Sequence, residues 1–170
     1  MPPAIRFVEL PRSAMKALLA DDLSTASAAA GIPLTEYFVT DEAKFLWRFR
    51  LGQLAREPEH ARWIVRAVVA EPEGTVVGHA GFHGAPNTDG TVEIAYSVDP
   101  AHRRRGYAKA MLTALLDRAA SEPSVTTVRA SISPGNAASL ATIAGHGFTE
   151  VGEQWDEEDG RELLYERPAR

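Results

Sequence analysis

Four cations, Arg103, Arg104, Arg105 and Lys109, stand close together in the stretch HRRRGYAKAML, with no acidic residue among them. Such a run can cradle a phosphorylated ligand, bind a nucleic acid or simply face water. The residues around it narrow the choice. Upstream, EIAYSV alternates like a strand and stops at Asp99-Pro100. Downstream of Gly106, the residues Met111, Leu112, Leu115, Leu116 and Ala119 recur at helical spacing. The first N–H groups of a helix lack internal acceptors and lie at the positive end of its dipole, so an anion placed there meets free donors. Gly106 and Ala108 are small enough to let a pyrophosphate approach the backbone, and the four cations can neutralise it.

The wider chain disfavours the nucleic-acid reading. The net charge is −5, from 18 basic and 23 acidic residues, and without the four cations the remainder is more acidic still. The cluster is short and lacks the interleaved aromatics that strand-binding proteins use. There are no cysteines, which excludes a disulfide framework, thiolate metal sites and a cysteine nucleophile. No leader pattern or membrane-length apolar run is present, so a cytoplasmic protein without a membrane partner is expected. At 170 residues the chain suits a single domain, residues 1–170.

The elements that must position this loop can be read along the chain. Ile5 to Leu10 reads as a strand, and a helix starts after Pro11. Ser24 to Thr40, rich in Ala, Ser and Thr with Gly31 and Pro33, reads as helix end and loop. Thr40 or Asp41 caps a helix running to Pro58 with Phe45, Leu46 and Phe49 near one face. Strands are expected at Trp63–Ala70, then in GTVVGHAGFHG, then in TVEIAYSV, forming an antiparallel meander. After the basic loop and its helix comes SVTTVRASIS, where Val128, Ala130 and Ile132 alternate with polar residues; the strand–helix–strand order favours parallel pairing. NAASLATIAGH is a short helix, and the rest is a terminal hairpin.

With those elements in place, Arg103-x-x-Gly106-x-Ala108 resembles the (Gln/Arg)-x-x-Gly-x-(Gly/Ala) signature of the GNAT, or GCN5-related, N-acetyltransferases. EIAYSVDPAHRRRGYA, SPGNAAS and GHGF resemble the branch that acts on ribosomal proteins. The resemblance runs from about Arg62 to Phe148. It implies a mixed, mostly antiparallel α/β sheet of six or seven strands flanked by about four helices. It also implies acetyl transfer from acetyl-CoA to a primary amine by direct attack in a ternary complex, with no metal. In family terms Arg103, Arg104, Arg105, Gly106, Tyr107, Ala108 and Lys109 would hold the CoA phosphates. In the family the strand leading into the loop splays from its neighbour, so the backbone of Tyr96 and Val98 would serve pantetheine and the thioester oxygen, and Glu93 would be general base. Many relatives place a tyrosine acid seven residues after the asparagine of Asn-x-x-Ala; here that position is Ile143, which leaves Ser139 as the candidate acid. Asn136 can cap its helix and also touch the pantetheine arm.

Other residues admit bland readings. His79 and His83 share a strand face and could ligate a metal or act as a second base, but with no third ligand in view they read as structural. Trp47, Tyr37 and Phe38 fall where the family covers its acceptor site, though such aromatics are more often core. Asp156, Glu157, Glu158 and Asp159 read as a solvated hairpin tip, with steering of a cationic acceptor as the other role. The acceptor could be a small molecule or a protein N-terminus, and a homodimer is common among proteins of this kind. An acyl-CoA sensor of the same fold without turnover is the alternative to an enzyme.

Overall fold

The first strand, β1 (Ile5–Glu9), leads directly into three helices that cover one side of a sheet: α1 (Arg12–Leu19), α2 (Leu23–Ala30) and α3 (Asp41–Arg56). The computed structural model describes residues 1–170. β2 (Arg66–Ala70), β3 (Thr75–Phe82) and β4 (Thr91–Val98) follow, then α4 (Tyr107–Ser121), β5 (Thr127–Ile132), α5 (Ala137–Ile143), β6 (Thr149–Asp156) and β7 (Gly160–Pro168). The seven strands form one sheet in the order β1-β2-β3-β4-β5-β7-β6. Every neighbouring pair is antiparallel except β4 and β5, which are joined through α4 and run parallel.

Alternation along each strand divides the core into two layers. On one side Val68, Phe82, Val92, Ile94, Val128 and Ile132 pack against Met111, Leu112 and Leu115 of α4 and Ile143 of α5. On the other, Ala67, Val69 and Val76 meet Met15 and Leu18 of α1, Ala26 of α2 and Trp47 and Leu54 of α3. The expected sheet, meander, parallel crossover and terminal hairpin are all present.

Three local expectations need correction. Ser24 to Ala30 is not the end of the preceding helix running into loop but most of a separate helix, α2, whose start is capped by Asp22, accepting from Thr25 N at 3.0 Å, and whose end is Gly31 at φ 72°. Its alanines are strong helix formers, and an almost uniformly small-residue helix carries no apolar stripe to betray it. α3 begins at its Thr40 cap as expected, but its inward face is Ala43, Trp47, Arg50 and Leu54. Phe45 and Phe49 are instead 45% and 53% exposed. β2 starts at Arg66 rather than Trp63, because Pro58–Arg62 winds into a 3₁₀ turn whose exit holds Trp63 outside the ladder.

The feature that matters for function is where β4 and β5 part. They pair at Thr91–Thr127, Val92–Val128 and Glu93–Arg129, and no further. β5 continues against β7 as far as Ile132, while β4 continues against β3 as far as Val98. The sheet therefore opens between Ile94–Val98 and the far half of β5. On its other edge β4 is held close by Gly78, whose missing side chain makes room: a Cβ there would lie 2.1 Å from the Ser97 carbonyl oxygen.

Candidate active site

The basic loop leaves the end of β4 at the mouth of this opening. Asp99 caps a 3₁₀ turn, accepting from Ala101 N at 3.0 Å. The chain then passes through Arg104 at φ 64° and Gly106 at φ 84°, both left-handed, before α4 begins. For Arg104 that conformation is uncommon, whereas glycine adopts it freely. No side chain caps α4, so its first N–H groups stay available to an anion.

A pocket of about 670 Å³ lies over this helix start, lined by Val98, Arg103, Arg104, Gly106 and Tyr107 through Lys109 on one side and by Asn136 and Ser139 on the other. Tyr96 and Ser97 form its floor, and they also belong to a larger cleft of about 1390 Å³ under α3. Asn136 borders both spaces. The two cavities thus meet at the part of β4 that has separated from β5.

The site candidates separate by position. Arg104 and Lys109 line the smaller pocket and make no protein hydrogen bond, whereas the Nε of Arg103 donates back to the Val98 carbonyl at 3.2 Å. That bond occupies one of the backbone groups expected to serve pantetheine. Arg105 is exposed and outside the pocket lining. Asn136 caps α5 by accepting from Ser139 N at 3.1 Å. Ser139 faces the pocket next to the hydroxyl of Tyr96. Glu93 lies just before the strands part, on the opposite sheet face from Val92 and Ile94.

Residues 18–149 match the family model described as the acetyltransferase (GNAT) domain. The chain belongs to the GNAT acetyltransferase family. It is 35% identical over 101 residues to an L-2,4-diaminobutyric acid acetyltransferase of Streptomyces avermitilis, a match covering 59% of this chain and 54% of that protein. The chain spans about half the length of the curated relatives it matches. Among solved structures it resembles the ribosomal-protein-S5-alanine acetyltransferase of Vibrio fischeri, with TM-score 0.64, 18% identity, and 97% and 92% of the two chains covered. It also resembles a GNAT phosphinothricin acetyltransferase of Sinorhizobium meliloti in complex with AcCoA, with TM-score 0.60, 19% identity, and 99% and 89% covered.

Two features of this GNAT domain were invisible to sequence reasoning, the burial of Arg50 and the partner of His83. Arg50, read only as part of a helix, is 4% exposed and lines the larger cleft. Its Nη1 donates to the His83 carbonyl and to Gln53 Oε1, both at 2.9 Å, while Nε has no partner. Burial lowers its pKa to about 10, opposed by the charge of Glu93, so it stays protonated at neutral pH. His83 does not act with His79: its Nδ1 lies 2.6 Å from Glu93 Oε2. The hairpin register that pairs Phe82 with Ile94 also sets residue 83 opposite 93, and that register was the one signal that could have revealed the pair. Burial pushes the Glu93 carboxyl up, but His83, Ser131 and Arg129 outweigh it and hold the group below its ordinary range.

His79 packs against Tyr37, Phe38 and Trp47. Burial first, and then the charge of Arg50, pushes its pKa down to about 4, so at neutral pH it is an uncharged ring among aromatics. Phe38 and Trp47 are core, the indole donating to the Phe38 carbonyl at 2.7 Å, but Tyr37 reaches the cleft and bonds Ser97 through its hydroxyl. Asp156 through Asp159 form the β6–β7 tip and border the same cleft, together with Trp155, which is 77% exposed. The tip is ordered by Asp156 Oδ1, which accepts from Glu158 N at 2.8 Å and Asp159 N at 2.9 Å. No helix is long and apolar enough to cross a membrane.

Proposed function

We propose that the chain transfers the acetyl group of acetyl-CoA to a primary amine by direct attack in a ternary complex. The observation that carries this is the junction of two cavities at Tyr96 and Ser97: one lies over a cationic, uncapped helix start and the other is open to an acceptor. The fit of the first to a pyrophosphate rests on the α4 N–H groups, the Gly106 turn, and the unpaired Arg104 and Lys109. When bound, acetyl-CoA supplies an acetyl thioester, an already activated acyl donor.

The remaining work belongs to the chain. The opening beside Tyr96 and Val98 leaves room for the pantetheine arm, with Asn136 and Ser139 across from it. The Tyr96 hydroxyl is buried without a hydrogen-bond partner, with Ser139 and Thr142 beside it. Burial raises its pKa, so it keeps its proton; Ser139 remains the proposed donor toward the departing sulfur, backed by this tyrosine. An alkylammonium near pKa 10.4 must lose a proton before it can attack, and Glu93 is the carboxylate that drives this loss. Carboxylates of Asp41, Glu42, Glu57 and Asp156 to Asp159 line the acceptor cleft and draw an amine that arrives as its cation.

Thiol release from acetyl-CoA, measured against a panel of primary amines, tests the reading. Release should saturate with one class of amine and approach background without it. Equal release with and without every amine would contradict it.

A further inference from the structure

We infer that His83 is the side chain that takes the proton from the acceptor amine, and that Glu93 is a positioning residue that holds and polarises the His83 ring. This rests on the acetyl-transfer reading and changes how its proton moves. Glu93 is not part of the cleft wall, and both of its oxygens are engaged: Oε1 accepts from Ser131 Oγ at 3.0 Å, and Oε2 meets His83 Nδ1 at 2.6 Å. A carboxylate so satisfied has little reason to reach into the cleft. His83 does line the cleft, is exposed, and makes no protein hydrogen bond through Nε2.

Exposed side chains are usually mobile, but this one stands on a fixed backbone. His83 N donates to the Glu93 carbonyl at 2.8 Å. The His83 carbonyl accepts from Arg50 Nη1 at 2.9 Å and from Gln53 Nε2 at 2.8 Å. Through the buried Arg50, α3 thus reaches across the cleft floor and pins the residue after β3. With the carboxylate at Nδ1, the neutral ring carries its hydrogen there and turns the Nε2 lone pair to the cleft. When Nε2 takes a proton, the new charge forms beside the Glu93 carboxylate.

One proton of the ammonium passes to Nε2 and from the exposed ring to water. The freed nitrogen pair then forms the C–N bond to the acetyl carbon, and the C–S bond breaks with its electron pair remaining on sulfur. The second N–H proton neutralises that sulfur. The charges that act on the pair come from Arg129 on β5, Arg50 on α3, Asp156 at the end of β6 and the buried Glu162 on β7.

The test combines H83Q and E93Q with the pH profile of kcat/KM and with NMR of the His83 ring nitrogens, which needs no amine. H83Q should lower kcat about a hundredfold or more, as for loss of a general base, and erase the acid limb, while CoA binds as before. E93Q should keep the limb but lower kcat by less than H83Q does, because the base remains and only the partner that orients it is lost. The ring nitrogens should carry the hydrogen on Nδ1 in the wild type and show mixed tautomers in E93Q. H83Q with the wild-type rate and profile would overturn the proposal, as would E93Q erasing the limb by itself. If no amine is turned over, the acetyl-transfer reading fails on its own; a ring tautomer unchanged by E93Q would then overturn the pairing independently.

Discussion

At the scale of single residues, the site separates cations that resemble one another in sequence. Arg104 and Lys109 face the pocket at the start of α4, Arg103 bends back to the Val98 carbonyl, and Arg105 faces away. Charge reversal should expose this ranking. Calorimetry with CoA at low salt should show R104E weakening binding about tenfold or more and R105E only about two- to threefold, since solvent and salt screen the more distant charge. Equal losses would place the phosphates elsewhere. The run of cations was plain in the sequence, but not its division of labour, because that depends on the left-handed turns at Arg104 and Gly106. The pairing of His83 with Glu93 was hidden for a related reason, although the histidine itself stood out as a possible second base. Its partner lies across a hairpin, and a cross-strand pair is fixed by register rather than by nearness in sequence.

Among the elements, those with a clear period were legible and those without one were not. β5 shows its two faces through Val128, Ala130 and Ile132, and α4 shows its stripe through Met111, Leu115 and Ala119. Apart from Leu23, α2 has only small residues, so its boundaries at Asp22 and Gly31 were the main signals. In α3 the aromatic residues misled: the buried face includes a charged Arg50, and the phenylalanines at 45 and 49 line a cleft rather than the core. The opening of β4 from β5 was legible only through the family resemblance and not from the residue pattern, since it depends on how the strands are held elsewhere. Gly78 is one such hold. Gly78→Ala would push a methyl group into the Ser97 carbonyl and should cost about 1–3 kcal/mol, as other overpacking changes do. Denaturant unfolding measures that loss, and CoA affinity should fall with it because Ser97 and Val98 border the pocket. An unchanged midpoint would mean that β3 and β4 can separate there without consequence.

For the whole molecule, a neutral histidine in the layer between sheet and helices makes stability depend on pH. The folded-state pKa of His79 is pushed down to about 4, below the ordinary value near 6.5, so the unfolded chain binds this proton first. Stability from keeping the ring neutral is therefore present above about pH 6.5 and is lost as pH falls toward 4, by up to about 3 kcal/mol. Glu93, shifted downward, gives up its share only below the ordinary carboxylate range. His79→Phe, which keeps an aromatic ring against Tyr37 and Trp47, should flatten unfolding free energy between about pH 6.5 and 4.5; a slope equal to wild type would contradict the assignment. In the proposed reaction an acyl group crosses between the two cavities joined at Tyr96. Mass spectrometry of a quenched reaction with acetyl-CoA and an amine tests this most directly. One acetyl group should appear on the amine nitrogen and none on the protein, whereas an acetylated chain forming and decaying at the turnover rate, or no acetylated amine from a CoA-binding sample, would contradict it.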